Sequence, residues 1–176
     1  MYLSVIVPGL IILLLERIRP FREGWRPNKR TLYQDFIYLL GVQLVFALLL
    51  KFLLITFIID IGFKQAVIFD VWPNSWPLGM QLIAMILIGE LLQYWWHRLS
   101  HTIPFLWDIH SIHHQPKLVY SINTARFHII DKTVEFIVDI FVFILLGASI
   151  ELIAAYYVFY AINGLLQHAN LNLRFG

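Results

Sequence analysis

Apolar residues divide the chain into long runs separated by polar segments. The four runs cover residues 1–15, 36–59, 78–96 and 133–167. A helix that crosses the hydrocarbon core needs about 20 apolar residues, so the second and third runs each predict one membrane span. The first run is short and contains Pro8, which predicts a short or tilted helix. The pattern therefore predicts an all-α integral membrane bundle.

The last apolar run is too long for one crossing and is interrupted near its middle. Gly147, Ser149 and Glu151 lie at this interruption, and glycine and serine favour a turn. A hairpin of two short crossings fits the run better than a single span. The bundle is then expected to contain about four to five membrane helices.

Composition agrees with a membrane protein and excludes several kinds of site. The chain is 60% apolar and 14% charged, with a mean hydropathy of +0.73. The absence of cysteine from its 176 residues excludes disulfides, iron–sulfur clusters, zinc–thiolate sites and thiol nucleophiles. A net charge of +2 is too small to indicate a nucleic-acid partner.

The positions of the basic residues predict an orientation in the membrane. Eleven of the thirteen lysines and arginines lie in the 17–30 loop, in the 97–132 segment or at Arg174. An even number of crossings separates these regions, so all three should share one face. Because basic loops remain in the cytoplasm, that face is expected to be cytosolic.

The histidines are concentrated in one region and follow helical spacing. Six of the seven fall within 32 residues. His97 and His101 are four residues apart, and His110, His113 and His114 stand at i, i+3 and i+4, so each set occupies one face of a helix. Pro104 between the sets can break the helix and let the second fold back over the first. Imidazoles beside membrane spans at this spacing indicate a transition-metal site.

Other interpretations of single histidines stay open at this point. A histidine at the membrane boundary can be interfacial and hydrogen-bonded, and His128 and His168 each stand apart from the two clusters. Imidazole ligands without cysteine suit iron, zinc, copper or nickel. Five or more histidines exceed what one zinc takes, which indicates two metals. The carboxylates of Glu90, Asp108, Asp131 and Glu135 are near enough in sequence to orient ligating imidazoles.

The motifs around these histidines resemble those of the fatty acid hydroxylase superfamily, also called the sterol desaturase family. The resemblance covers roughly residues 89–176, half of the chain. It is carried by Tyr94-Trp95-Trp96-His97-Arg98-x-x-His101, by Leu106-Trp107-x-x-His110-x-x-His113-His114, by Asn123-Thr124-Ala125-Arg126-Phe127-His128 and by Gln167-His168-Ala169-Asn170.

The resemblance implies a membrane-bound di-iron oxidoreductase that uses O2 to hydroxylate or desaturate a C–H bond of a lipid or sterol. Carried over by motif, His97, His101, His110, His113 and His114 match family ligands, and His128 and His168 match histidines usually present. The implied cofactors are two iron ions, with zinc as an alternative metal in the isolated protein. The implied partners are a bilayer lipid or sterol as substrate and a separate electron donor. A bacterial inner membrane is the expected location, ahead of the endoplasmic reticulum.

The sequence departs from the family pattern after residue 176. Family members normally carry a further His-x-x-His-His cluster downstream of the His-Ala-Asn segment, and the sequence stops before it. We therefore expect residues 1–88 to form the N-terminal spans and the basic loop, and residues 89–176 to be a truncated hydroxylase-like region. The alternatives are a non-redox metal-binding or metal-transport protein and a non-catalytic family member.

Overall fold

The computed structural model describes residues 2–61 and 67–172, and in these ranges it consists of α-helices without a β-sheet. The helices are α1 (Tyr2–Ile18), α2 (Lys29–Tyr38), α3 (Ala47–Ile61), α4 (Leu78–Thr102), α5 (Pro104–His114), α6 (Ile129–Phe136), α7 (Val142–Leu145) and α8 (Ile150–Gln167). π-Helical segments join α2 to α3 and α6 to α7, at Leu39–Phe46 and Ile137–Phe141. Two 3-10 helices, Glu23–Trp25 and Ser121–Ala125, lie in the loops.

Three helices in the described part of the chain are long and apolar enough to cross a membrane: Lys29–Phe57, Leu78–Thr102 and Ile150–Gln167. Helix α1 and the continuous helix of residues 129–145 are shorter, about 25 Å each, and pack beside them. Large apolar side chains such as Phe52 and Leu53 face outward, as lipid-facing positions require. The predicted all-α membrane bundle is confirmed.

Two helices extend beyond the predicted boundaries, and both extensions are polar. The second span begins at Lys29 rather than at residue 36, because Asn28 caps it by accepting a hydrogen bond from the Thr31 N–H at 3.0 Å. Helix α4 continues to Thr102 rather than ending near residue 96. Hydropathy marks the lipid-embedded part of a helix and says little about where the helix itself ends.

The last apolar run forms the predicted helical hairpin, of which α8 is the arm long and apolar enough to cross a membrane. The helix of residues 129–145 and α8 are joined by a turn at Gly147, whose φ of 88° lies in the left-handed region. Ser149 then caps α8 by accepting a hydrogen bond from the Leu152 N–H at 3.3 Å. The two arms pack against α4, with Met85, Phe143 and Leu152 completely buried between them.

The loop before α4 holds one tryptophan in an unexpected place. Such loop tryptophans commonly face the membrane interface, and Trp76 is 47% exposed. Trp72 instead packs edge-on against Phe143 in the core, with 7% exposure. Its indole N–H donates to Gln81 Oε1 at 3.0 Å, so its polar atom is satisfied without water.

The polar segments meet at one end of the bundle, as their charge pattern predicted. The Phe21 N–H donates to the Asn170 carbonyl at 3.1 Å, and the Arg22 N–H donates to Asn170 Oδ1 at 3.0 Å. Arg126, after the 3-10 helix, forms a buried ion pair with Asp35 of α2. Arg174, which also entered the orientation argument, lies outside the described residues.

The close approach of α8 to Gly89 of α4 generates a stability prediction. A Cβ atom at Gly89 would lie 2.7 Å from Cζ of Tyr156, a side chain with 1% exposure. We expect Gly89→Ala to destabilise the bundle by about 1–3 kcal/mol, the usual cost of overpacking. Gly79→Ala is the matched control, because nothing lies within 4 Å of its Cβ position. The measurement is the thermal unfolding midpoint in detergent, and an unchanged midpoint for Gly89→Ala would contradict this packing.

Candidate metal centre

Helices α4 and α5 form a corner that brings their histidines together. Ile103, between them, is extended at φ −97° and ψ 118°, the conformation that a following proline favours. Pro104 occupies the first turn of α5, where its missing N–H costs nothing. The corner folds α5 back along the end of α4, as predicted from Pro104.

Four imidazoles converge inside this corner. His101 Nε2 lies 3.1 Å from His97 Nε2 and 3.0 Å from His114 Nε2, and His114 Nε2 lies 3.2 Å from His110 Nε2. The ligand atoms of all four lie within 4.8 Å of one another. His110 is buried, and the other three are exposed.

The spacing of these nitrogens fits a metal better than a hydrogen-bond network. A neutral imidazole has only one N–H, yet His101 Nε2 and His114 Nε2 each face two other ring nitrogens. Nitrogens bound to one metal at about 2.0–2.1 Å lie roughly 3.3 Å apart in a tetrahedral site. The side chains present therefore fit a metal held by His97, His101, His110 and His114.

Asp131 of α6 orients the buried member of this group. Its Oδ2 accepts a hydrogen bond from His110 Nδ1 at 2.7 Å, and its Oδ1 accepts one from Trp96 Nε1 at 3.0 Å. Placing the proton of His110 on Nδ1 leaves a lone pair on Nε2, which faces the other three histidines. This carboxylate–histidine arrangement is typical of metal ligands.

His113 and His168 form a second pair beside the first group. Their ring centroids are 4.9 Å apart, and the rings are nearly perpendicular. His113 Nδ1 donates to the Arg126 carbonyl at 3.1 Å, and His168 Nδ1 donates to Asn123 Oδ1 at 2.8 Å. Both rings thus keep an unprotonated Nε2. His168 reaches the site although it lies 54 residues after His114 in the sequence.

Burial keeps the histidines outside the spans in the form that binds metals. It lowers the pKa of His113 to about 3, with a further contribution from His168. Partial desolvation of its ring, together with the neighbouring imidazoles, lowers the pKa of His114 to about 4 although the residue is exposed at its surface. Burial also lowers the pKa of His168. These side chains are neutral at physiological pH, so protons compete weakly for their ligand nitrogens.

His128 lies apart from both groups. It occupies the N-cap of α6, where its Nδ1 accepts a hydrogen bond from the Ile130 N–H at 3.2 Å. Because Nδ1 accepts there, a neutral His128 carries its proton on Nε2. In the described contacts, His128 therefore acts as the N-cap of α6.

The four acidic residues named above have different surroundings. Asp131 contacts the histidines directly. Glu135 pairs with Lys132 at 3.0 Å, and Glu90 accepts a hydrogen bond from Asn163 at 3.0 Å. Asp108 is exposed. Spacing alone placed all four near the site, and only the tertiary structure separates them.

Several residues that support the site were not among the predicted site residues, although Asn123, Arg126 and Asn170 lie in the quoted motifs. Asn123 Nδ2 donates to the Leu118 carbonyl, which turns its oxygen toward His168. Glu16 of α1 accepts hydrogen bonds from the N–H groups of Ser121 and Asn170, at 2.8 and 2.7 Å. Asp35 holds Arg126, whose carbonyl binds His113. Outside those motifs, Asp35 carries a sequence signal of its own, because an acidic residue in a membrane helix generally has a functional partner.

A cavity of about 780 Å³ opens beside the histidines and extends between α1, α4 and α8. Its wall combines apolar side chains such as Val5, Leu39 and Leu165 with five of the histidines and several polar residues of the spans. A cavity that joins apolar surface to convergent polar groups is typical of a binding site for a small molecule or a lipid.

Comparison with known proteins identifies the family. The model of the fatty acid hydroxylase family matches residues 82–176, which include both histidine clusters and His168. The chain belongs to the fatty acid hydroxylase family. It is also similar to the ornithine lipid hydroxylase OlsE of Rhizobium tropici, with 31% identity over 180 residues, 99% of this chain and 53% of the relative. The chain therefore spans about half the length of this curated relative. No solved structure matches it.

The shared carboxylate of Asp131 generates a prediction about metal binding by this member of the fatty acid hydroxylase family. We expect Asp131→Asn to weaken the binding of iron(II) or zinc by about 10–100-fold, because one amide oxygen replaces two carboxylate oxygens that serve two donors. The measurement is the metal retained against a graded chelator series. Asp108→Asn, a change at an exposed carboxylate, is the control. Equal metal retention by Asp131→Asn and the wild type would show that Asp131 does not contribute to metal binding.

Proposed function

We propose that this protein is a membrane-bound di-iron oxidoreductase that hydroxylates a C–H bond of a lipid with O2. The observation that carries the proposal is the convergence of four histidine Nε2 atoms beside a cavity that His97, His110 and His114 line. The chain belongs to the fatty acid hydroxylase family.

The proposed ligands divide into two sets. His97, His101, His110 and His114 hold one iron, and His113 and His168 contribute to the second. When bound, the iron pair supplies the redox chemistry by which O2, two electrons and two protons convert C–H to C–OH and release water. Asp131 and the Arg126 carbonyl hold His110 and His113 in the tautomer that presents Nε2. The apolar part of the cavity wall positions an acyl chain.

The proposed substrate is a membrane lipid with an amino-acid head group, and the proposed reaction is hydroxylation rather than desaturation. Support comes from the similarity to a protein named as an ornithine lipid hydroxylase. The cavity, lined by helices of the bundle and by five histidines, is the proposed binding place of this lipid.

The proposed site lies on the cytosolic face of a bacterial inner membrane. The electrons for the reaction come from a separate protein. The orientation rests on the basic residues of the 17–30 loop and the 97–132 segment, which gather at the histidine end of the bundle.

The two histidine sets generate a prediction about activity. We expect His97→Ala or His113→Ala in the full-length protein to abolish product formation while expression and membrane insertion persist, because the apolar spans direct insertion. The assay is mass spectrometry of lipids extracted from expressing cells grown with isotope-labelled O2, with the label expected in one added hydroxyl.

His128→Ala is the matched control, since His128 lies outside both groups. It is expected to retain activity and to lose about 0.5–2 kcal/mol of stability, as the loss of a helix cap does. Labelled product from the His97 or His113 variant at the wild-type level would overturn the proposed metal site.

The absence of cysteine from the chain makes the orientation directly testable. Lys117, after α5, and Ser75, before α4, are both exposed and lie at opposite ends of the bundle. With a membrane-impermeant maleimide, we expect Ser75→Cys to be labelled in intact spheroplasts and Lys117→Cys only in inside-out vesicles. The opposite pattern would place the histidines on the outer face.

A further inference from the structure

Glu90 places a carboxylate in the same cavity as the histidines. It lies on α4 two helical turns before His97, about 10 Å along the helix axis, and both residues line the cavity. A carboxylate within a membrane-spanning helix is costly and generally has a functional partner.

Within the described residues, the protein partner of Glu90 is neutral. Glu90 Oε1 accepts a hydrogen bond from Asn163 Nδ2 of α8 at 3.0 Å. Lys132 is the one lysine or arginine among the described residues that line the cavity. It is already engaged, with Nζ 3.0 Å from Glu135 Oε2. The charge of Glu90 therefore lacks a balancing cation among the described cavity residues.

The remaining polar atoms of this pair, at the cavity wall, are acceptors with accessible surface. Among the described residues, no protein group donates to Glu90 Oε2 or to Asn163 Oδ1. Neither atom is among the sealed polar atoms of the structure, and both residues line the cavity wall. Two acceptors, one of them charged, match a group that carries several N–H donors and a positive charge.

We propose that Glu90 and Asn163 bind the ammonium group of the lipid substrate and select lipids that carry a primary amine. This inference rests on the proposed lipid hydroxylation and adds a recognition site to it. The apolar wall accepts the acyl chains of many lipids alike, whereas a carboxylate in a low-dielectric cavity favours a cation strongly over a neutral group. Glu90 would thus determine the head group that the cavity admits.

The test measures lipid binding to the full-length protein in phosphatidylcholine nanodiscs. The probes are an ornithine-containing lipid and the same lipid with its side-chain amine acetylated. We expect the wild type to bind the amine form at least about tenfold more tightly, the usual effect of one charge-assisted hydrogen bond. Glu90→Gln, which can still accept from Asn163, is expected to remove this difference by weakening only the amine form.

Glu151→Gln is the control, because Glu151 is exposed in the first turn of α8, far from the histidine end. It is expected to keep the wild-type preference. Equal affinities of the wild-type protein for the two lipids would overturn the inference, and this comparison needs no variant to fold. A preference that survives Glu90→Gln would overturn it as well.

Product analysis of the same samples separates this inference from the proposed function. Amine selection that depends on Glu90, without a hydroxylated product from a metal-loaded protein, would leave the binding site standing and refute the lipid hydroxylase. A hydroxylated product without amine selection would support the lipid hydroxylase and refute the amine-binding site.

Discussion

The carboxylate of Asp131 holds three helices in the arrangement on which the histidine site depends. Its two oxygens accept hydrogen bonds from Trp96 of α4 and His110 of α5, while its backbone belongs to α6. With 1% exposure, it has no water to replace either donor. Each hydrogen bond is therefore strong, and losing one leaves a polar group unsatisfied. A single buried anion thus fixes the helix corner and the tautomer of a candidate ligand.

Buried polar groups also pair with one another in the rest of the histidine end. Arg126 is neutralised by Asp35, and its carbonyl accepts the Nδ1 hydrogen of His113. Asn123 joins His168 to the loop that carries Leu118. Buried polar groups must form hydrogen bonds or ion pairs with one another. Here the same hydrogen bonds also orient the imidazole rings. Stability and site geometry therefore depend on the same contacts at this end, whereas the opposite end is held by apolar packing around Met85 and Phe143.

Parts of the candidate site followed from local spacing, and parts did not. The i, i+4 pair of His97 and His101 and the 110–114 cluster are each on one helical face by periodicity alone, and Pro104 predicted the corner between them. Local spacing does not predict that His168 lies beside His113, or that His128 lies apart from the other histidines. These positions depend on how α6 and α8 pack. Similarly, the acidic residues near the clusters were indistinguishable by spacing, although only Asp131 contacts an imidazole.

The sequence by itself determined the membrane bundle, its hairpin and the common end of its basic segments. These follow from hydropathy, chain length and charge, which act over one or two turns of helix or over whole spans. The tertiary structure decided which polar side chains share a partner: Asp131 with Trp96 and His110, Glu90 with Asn163. Such pairs join residues 21 to 73 positions apart. Their energy depends on distances of about 3 Å, which no periodicity in the chain encodes.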